Sequence, residues 1–165
     1  MKYFLVVCIL SIFCASTHAQ TKDAAFYYNN ALKQSDLKKV VANFNKAIEL
    51  KPDFTEANFY RGVAYFHDKQ LTKALADFNK VIQMDGKHFG ALSYRGRVNE
   101  AQGKSTAALA DFNAALKLNP KFGEGLYNRA IYYRKAGNAS KACSDLKSAK
   151  KNGYPVPPGD LESCK

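Results

Sequence analysis

The sequence predicts an all-α protein in which about four helix–turn–helix repeats stack into a solenoid. The phrase "ALADFNK" at 74–80 returns as "ALADFNA" at 108–114, 34 residues later, and a fixed period of this length is the signature of a repeat array. Each period contains two stretches whose apolar residues recur at helical spacing. No stretch resembles a pair of strands. One period therefore corresponds to one pair of helices.

Four units of this length tile the chain, and a short tail follows them. The repeat region is 20–156, its units are 21–54, 55–88, 89–122 and 123–156, and the tail is 157–165. The first helix of a unit is rich in aromatic residues, as in "NFYRGVAYF" at 58–66. Glycines such as Gly103 and Gly137 separate the two helices of a unit. Pro52 and Pro120 close the first and third units, because helices usually end before the residue that precedes a proline.

Residues 1–19 predict a cleaved signal peptide. A basic start at Lys2 precedes an apolar run at 3–14, and Thr17 and Ala19 supply the small residues of a cleavage site. The alternative is an N-terminal membrane anchor, but the run is short for a span. We therefore expect cleavage after Ala19 and export of the mature chain, to the periplasm or as a secreted protein.

The mature chain has the composition of one globular domain. The whole sequence of 165 residues is 47% hydrophobic and 24% charged, which argues against disorder. Past the signal peptide, no apolar run reaches the length that a transmembrane helix needs. Two cysteines remain after cleavage, Cys143 and Cys164, and outside the cytoplasm we expect them to form a disulfide. Two buried free thiols are the alternative.

The net charge leaves several partners open. The formal charge of the full sequence is +11, and loss of Lys2 with the signal peptide lowers it to +10. This charge would suit an acidic protein, an anionic envelope polymer or a membrane surface. A solvated basic surface without a partner is the other interpretation. Nucleic acid is not expected as a partner, because the protein is expected to be exported.

The residue pattern within the units resembles the tetratricopeptide repeat. The residues that carry the resemblance are a small residue in the first helix (Gly62, Gly96, Ala130), an alanine in the second (Ala74, Ala108, Ala142) and a nearby aromatic residue (Phe44, Phe78, Phe112). The departures are Tyr28 and Val40 in the first unit, Asn99 in the third and Leu146 in the fourth. The resemblance implies a right-handed α-solenoid that acts in protein–protein interaction rather than in catalysis.

Each of the last three units carries one arginine and one aspartate at fixed places. These are Arg61 with Asp77, Arg95 with Asp111, and Arg129 with Asp145. In the first unit both charges are missing, since Tyr27 and Asn43 stand at the same places. The joint loss favours an ion pair between the two helices of a unit, in which the arginine fork matches the carboxylate. The alternative is a ladder of basic groups that binds a ligand.

The resemblance also implies that a partner binds on the concave surface, which the first helices of the units line. The candidate groove residues are Phe59, Val63, Phe66, Arg97, Tyr127, Ile131, Arg134 and Lys135. Such a set suits a peptide that combines a bulky apolar side chain with a nearby acidic group. In a solenoid this short, the apolar members could instead pack against each other. The runner-up function is a basic module that holds an anionic envelope polymer or membrane surface by charge.

The sequence contains no pattern of a catalytic or metal site. The mature chain has two histidines, His67 and His88, and neither has a cysteine or carboxylate at metal-ligand spacing. No phosphate-binding glycine loop, nucleophile elbow or metalloprotease motif is present. We therefore expect no enzymatic activity, no cofactor and no metal.

Overall fold

The structure is a computed structural model, and it describes residues 23–162 and residue 164. The predicted signal peptide, residues 1–19, lies outside the described residues. Over the described range the chain forms nine helices and no strand, so the predicted all-α fold is confirmed. The helices are α1 (Ala24–Leu32), α2 (Leu37–Leu50), α3 (Thr55–His67), α4 (Leu71–Met84), α5 (Phe89–Ala101), α6 (Ser105–Leu118), α7 (Gly123–Lys135), α8 (Ala139–Lys151) and α9 (Pro158–Glu162).

The first eight helices form four pairs, which are α1–α2, α3–α4, α5–α6 and α7–α8. The two helices of a pair pack most closely on each other, and the second helix of each pair packs on the first helix of the next. The first helices also touch along the array, since α5 contacts both α3 and α7. No described helix combines the length and the hydropathy that a membrane crossing requires.

The turns within the last three pairs share one backbone geometry. Lys69, Gly103 and Gly137 stand at the same place in their turns, and all three have a positive φ of 58° to 76°. The amide of the next residue then bonds back into the preceding helix, as in the 2.9 Å bond from the Gln70 amide to the Tyr65 carbonyl. This is the way helices commonly terminate, and it favours glycine because a side chain is strained there.

Close approach of the paired helices depends on the small residue of the first helix. A Cβ added at Gly62 would lie 2.8 Å from Cε1 of Phe78, and one added at Gly96 would lie 2.7 Å from Cε1 of Phe112. Both phenylalanines are fully buried, so an alanine at either glycine would force the ring to move. The last pair has Ala130 and Leu146 at these places, both buried. The last pair therefore has room for the methyl group of Ala130, because Leu146 is smaller than the phenylalanine of the other pairs.

The C-terminal tail folds back onto the last pair. The ring of Tyr154 packs on that of Tyr127, with centroids 4.9 Å apart. Beyond it lies the single turn of α9, and Cys164 then forms the predicted disulfide with Cys143 of α8, with the Cα atoms 5.3 Å apart. The tail is thus attached to α7 by a ring contact and to α8 by a covalent bond.

Candidate functional site: the concave groove

The predicted groove residues come from three helices that lie side by side. Phe59, Val63 and Phe66 are on α3, Arg97 is on α5, and Tyr127, Ile131, Arg134 and Lys135 are on α7. Because α5 contacts both of its neighbours, the three helices present one continuous surface. The structure nevertheless divides the eight residues among three recesses.

The largest of these recesses, here called the basic recess, lies between α3, α5 and α7. It has a volume of about 330 Å³, and its walls are Phe66, Arg97, Glu100, Ala101, Tyr127, Asn128, Ile131, Arg134 and Lys135. Six of the eight predicted groove residues are therefore brought together here. The recess combines apolar walls with three cationic side chains, which suits a ligand that is partly apolar and partly anionic.

Phe59 and Val63 lie outside the basic recess. The Phe59 ring is half-buried against the core and lies 4.7 Å from the His88 ring and 5.7 Å from that of Tyr94. It borders a second recess of about 300 Å³ at the junction of the second and third units. Val63 borders a third recess of about 220 Å³ towards the N-terminal pair. Phe59 thus packs within the fold, as the alternative interpretation of the groove residues expects, rather than serving as an anchor for a ligand.

Arg97 is the cation of the basic recess that has no carboxylate partner among the described residues. Its guanidinium carbon lies 4.4 Å from the centre of the Phe66 ring and 5.2 Å from that of Tyr94. None of the ion pairs in the described part of the chain includes it. Contacts with two ring faces hold the guanidinium in place and leave its N–H donors available for a ligand.

Arg134 and Tyr127 are bound to a carboxylate of the tail, which the sequence analysis did not include in the site. Nη1 of Arg134 donates to Oδ1 of Asp160 at 2.5 Å, and the Tyr127 hydroxyl donates to Oδ2 at 2.8 Å. The bonds from Arg134 and Tyr127 lower the pKa of Asp160. Burial and the bond to Asp160 raise the pKa of Tyr127 to about 12. The tail carries two acidic residues, Asp160 and Glu162, and nothing in the sequence indicated which of them would make this contact.

Lys135 also has an acidic partner inside the fold. Its Nζ lies 2.7 Å from Oε1 of Glu100 on α5. The lysine side chain is two-thirds exposed, and exposed pairs of this kind contribute little to stability. Lys135 therefore remains able to exchange Glu100 for another anion.

The three arginine–aspartate pairs expected from the sequence are present, and each uses both carboxylate oxygens. The Nε and Nη2 atoms of Arg61, Arg95 and Arg129 donate to Asp77, Asp111 and Asp145 at 2.6 to 3.0 Å. The remaining Nη1 donates to an asparagine of the preceding unit, namely Asn45, Asn79 or Asn113. Each arginine thus joins three helices of two adjacent units.

Two further polar groups explain departures from the repeat pattern. Asn99 is buried at a place where the pattern has an aromatic residue, and its Nδ2 donates to Oδ2 of Asp111 at 3.0 Å. Asn128 donates to Oγ of the buried Ser93 at 3.1 Å, which joins α7 to α5 beside the basic recess. Buried polar groups are stable only when they are paired, and both contacts meet that requirement.

No group of three or more metal-ligating side chains occurs among the described residues. His67 is exposed on α3. Nδ1 of His88 accepts a hydrogen bond from the Ala91 amide at 3.0 Å. It thereby caps the N-terminus of α5.

A family model of the tetratricopeptide repeat matches residues 20–88 and 95–153 of the chain, which is more than half of its length. The chain belongs to the tetratricopeptide repeat family. The match agrees with the helix pairs, the glycine contacts and the buried phenylalanines described above. None of the curated proteins is similar enough in sequence to count as a relative.

Several solved tetratricopeptide-like structures share this fold at low sequence identity. One is described as a double mutant of MamA from RS-1, with a TM-score of 0.68 and 15% identity over 81% of this chain and 76% of that chain. Another, residues 41 to the end of MamA from Desulfovibrio magneticus RS-1, has a TM-score of 0.65 and 18% identity over 79% and 75%. At these identities the likeness supports the α-solenoid fold and nothing finer.

Proposed function

We propose that this protein is an exported, non-enzymatic binding module that holds a segment of a partner protein in its concave groove. The preferred segment carries a bulky apolar side chain and an acidic side chain a few residues apart. The observation that carries the proposal is Arg97, whose guanidinium lies on the Phe66 ring in a recess shared with Ile131. An anion that pairs with Arg97 places its neighbouring side chain against apolar walls.

Peptide recognition of this kind needs a fixed cation next to a pocket. Stacking between two rings restricts the rotamers of Arg97, so less conformational entropy is lost when a carboxylate binds. The Asn128–Ser93 hydrogen bond fixes α7 relative to α5 and so fixes the width of the recess. The site is therefore preorganised for an extended or helical segment.

The test is binding of purified mature protein to an array of synthetic peptides. Each peptide places a phenylalanine or leucine within a few residues of an aspartate or glutamate, and matched peptides carry asparagine, glutamine or alanine at those places. We expect binding to need both side chains. Binding that survives loss of the apolar side chain would contradict the proposal.

Arg97→Gln tests the site on the protein side. We expect it to weaken binding of the selected peptide about tenfold, which corresponds to about 1.4 kcal/mol. Lys117→Gln, which removes the same charge from the exposed part of α6, is the matched control and should change the affinity less than twofold. Equal losses in the two variants would indicate that net charge, rather than the groove, holds the peptide.

The salt dependence of binding distinguishes this function from charge-driven binding of an anionic polymer or membrane surface. At an ionic strength of about 1 M the Debye length is about 3 Å, so attraction to a charged surface is largely screened. A peptide anchored by an apolar side chain in the basic recess should retain measurable binding. Complete loss of binding at high salt would favour the charge-driven alternative.

Export is the part of the proposal that depends on the N-terminal segment. The Cys143–Cys164 disulfide supports it, because structural disulfides persist in oxidising compartments. Intact-mass analysis of protein recovered from the periplasm or the medium should give a chain that begins at Gln20. A full-length chain in the cytoplasm with two alkylatable thiols would contradict export.

A further inference from the structure

The C-terminal side of the basic recess already holds a carboxylate. Asp160 of α9 accepts hydrogen bonds from Tyr127 and Arg134 through its two oxygens, and both donors line the recess. Its side chain is only 16% exposed. A tail residue thus makes the contacts that a ligand carboxylate would make with these two donors.

Helix α9 contributes little apolar packing of its own. Helix α9 is a single turn without a buried residue. On one side of it, Tyr154 packs on Tyr127, and on the other side Cys164 is bonded to Cys143. Asp160 lies between these two attachments, and its contacts with Tyr127 and Arg134 hold the turn against α7.

The tail also has the chemistry that the groove is proposed to prefer. Its sequence at 157–163 is "PPGDLES", in which the apolar Leu161 directly follows Asp160. An acidic side chain beside a bulky apolar one is the combination expected of the partner segment.

We propose that Tyr127 and Arg134 form a carboxylate subsite of the groove, that Asp160 is its internal occupant, and that an acidic side chain of the partner enters by displacing the tail. This inference rests on the proposed binding of an acidic segment in the groove. It adds a site, the ligand chemistry of that site and a built-in competitor.

Displacement is feasible because the pair is only partly shielded from water. The Arg134 side chain is 46% exposed, and ion pairs with one solvated partner are weak. The disulfide nevertheless keeps Asp160 near the subsite, and a tether of this kind gives a high effective concentration. Apparent affinity falls by the fraction of molecules whose site is open. A tail docked about nine-tenths of the time therefore weakens an acidic ligand about tenfold.

The experiment uses the full mature chain and a fluorescein-labelled peptide with the sequence of residues 157–163. Wild type, Asp160→Asn and Asp160→Asn combined with Arg134→Gln are compared by fluorescence anisotropy. We expect Asp160→Asn to bind the peptide about tenfold more tightly than wild type, and the double variant to lose this gain. A matched uncharged peptide, with asparagine in place of the aspartate and glutamine in place of the glutamate, should bind none of them. Circular dichroism melts check that the variants fold.

A second measurement follows the tail itself. In the docked turn the Cys164 amide donates to the Leu161 carbonyl at 3.0 Å. Saturating wild type with the acidic peptide selected from the array should accelerate hydrogen exchange at this amide. It should leave the amides of α5 unchanged.

Three results would overturn the inference. One is equal affinity of wild type and Asp160→Asn for the acidic peptide, and another is equal binding of the uncharged peptide. The third is unchanged exchange at Cys164 when the groove is saturated. An array peptide could bind wild type and Asp160→Asn equally and yet be weakened by Arg97→Gln. That result would contradict displacement of the tail but would still support the proposed function. Failure of every array peptide on every variant would remove the proposed function itself.

Discussion

The three junctions inside the array and its two ends use different chemistry. At each junction an arginine of one unit bonds an aspartate of its own unit and an asparagine of the preceding unit, as Arg95 does with Asp111 and Asn79. Among the described residues no helix pair precedes the first unit, and Tyr27 stands in place of the arginine. No helix pair follows the last unit in the described part of the chain, and Lys147 stands in place of the asparagine. This arginine–aspartate–asparagine triad is therefore present at the three described junctions and incomplete at the two ends of the described array.

The two ends also differ from each other. At the N-terminal end Tyr28 replaces the small residue, and its ring lies within 5.9 Å of Phe44 and 5.0 Å of Phe54. Packing of rings takes the place of close helix approach there. At the C-terminal end the disulfide and the Asp160 contacts hold a tail across the last pair. The first end thus relies on packing of rings, whereas the second end adds a covalent bond and an ion pair to its apolar packing.

The largest effect is expected at a junction. Arg95→Ala should lower the free energy of unfolding by about 3 kcal/mol, because it leaves a carboxylate that is 9% exposed with only the Asn99 amide as a partner. Urea denaturation measures this change. Lys46→Ala, which removes an exposed pair with Glu49, should leave the unfolding free energy unchanged, and equal losses would contradict a junction-specific role.

Removal of the disulfide tests how much the covalent bond stabilises the C-terminal end. Replacing both Cys143 and Cys164 with serine should lower the unfolding free energy by about 3 kcal/mol in the chain-entropy model of a closed loop, here with a sequence separation of 21. The loss should add to that of Arg95→Ala, since distant sites are usually independent. Mass spectrometry of wild type under non-reducing conditions should find neither thiol alkylated. Two alkylatable thiols would reject the bridge.

The hydrogen bond from the arginine to the asparagine should contribute less to stability than the ion pair. Asn79→Ala removes one hydrogen bond to Arg95 and should lower the unfolding free energy by about 1 kcal/mol. Lys147→Ala, at the corresponding place of the last unit, should have no such effect, because no helix pair follows that unit among the described residues. A comparable loss in Lys147→Ala would break the distinction between junctions and ends.

The smallest effect concerns the docked tail and its dependence on pH. Burial and then the hydrogen bond to Asp160 raise the pKa of Tyr127, so this contact favours the neutral phenol. Its contribution is complete below the ordinary tyrosine pKa of about 10 and is lost as the pH rises through about 12. The lowered pKa of Asp160 means that the contribution of its carboxylate is complete above the ordinary pKa of an aspartate and is lost in acid, as the pH falls through the lowered pKa. Asp160→Asn should move the pKa of Tyr127 back towards 10, which NMR of 13C-labelled tyrosine rings can measure. An unchanged value would assign the shift to burial alone.

The sequence by itself determined the fold, the arginine–aspartate pairing and the cysteine pair. The period fixes which residues recur on the packing faces, so Gly62 and Gly96 had to lie where a ring passes closely. Arg61 and Asp77 could be paired because both were missing together from the first unit. The two cysteines could be paired because no others remained in the expected mature chain.

Only the tertiary structure decided how the predicted groove is divided and what occupies it. Spacing places Phe59 and Phe66 on the same helix, and both pack against the same core cluster. Phe66 nevertheless lines the basic recess, whereas Phe59 borders a different recess. The asparagine that completes each triad lies in the preceding unit, so its partner depends on how the units stack. The tail lies outside the repeat pattern, so the repeat could not predict the path that brings Asp160 to Arg134. Contacts within a unit are set by local spacing, whereas contacts between units and with the tail depend on packing that the period does not encode.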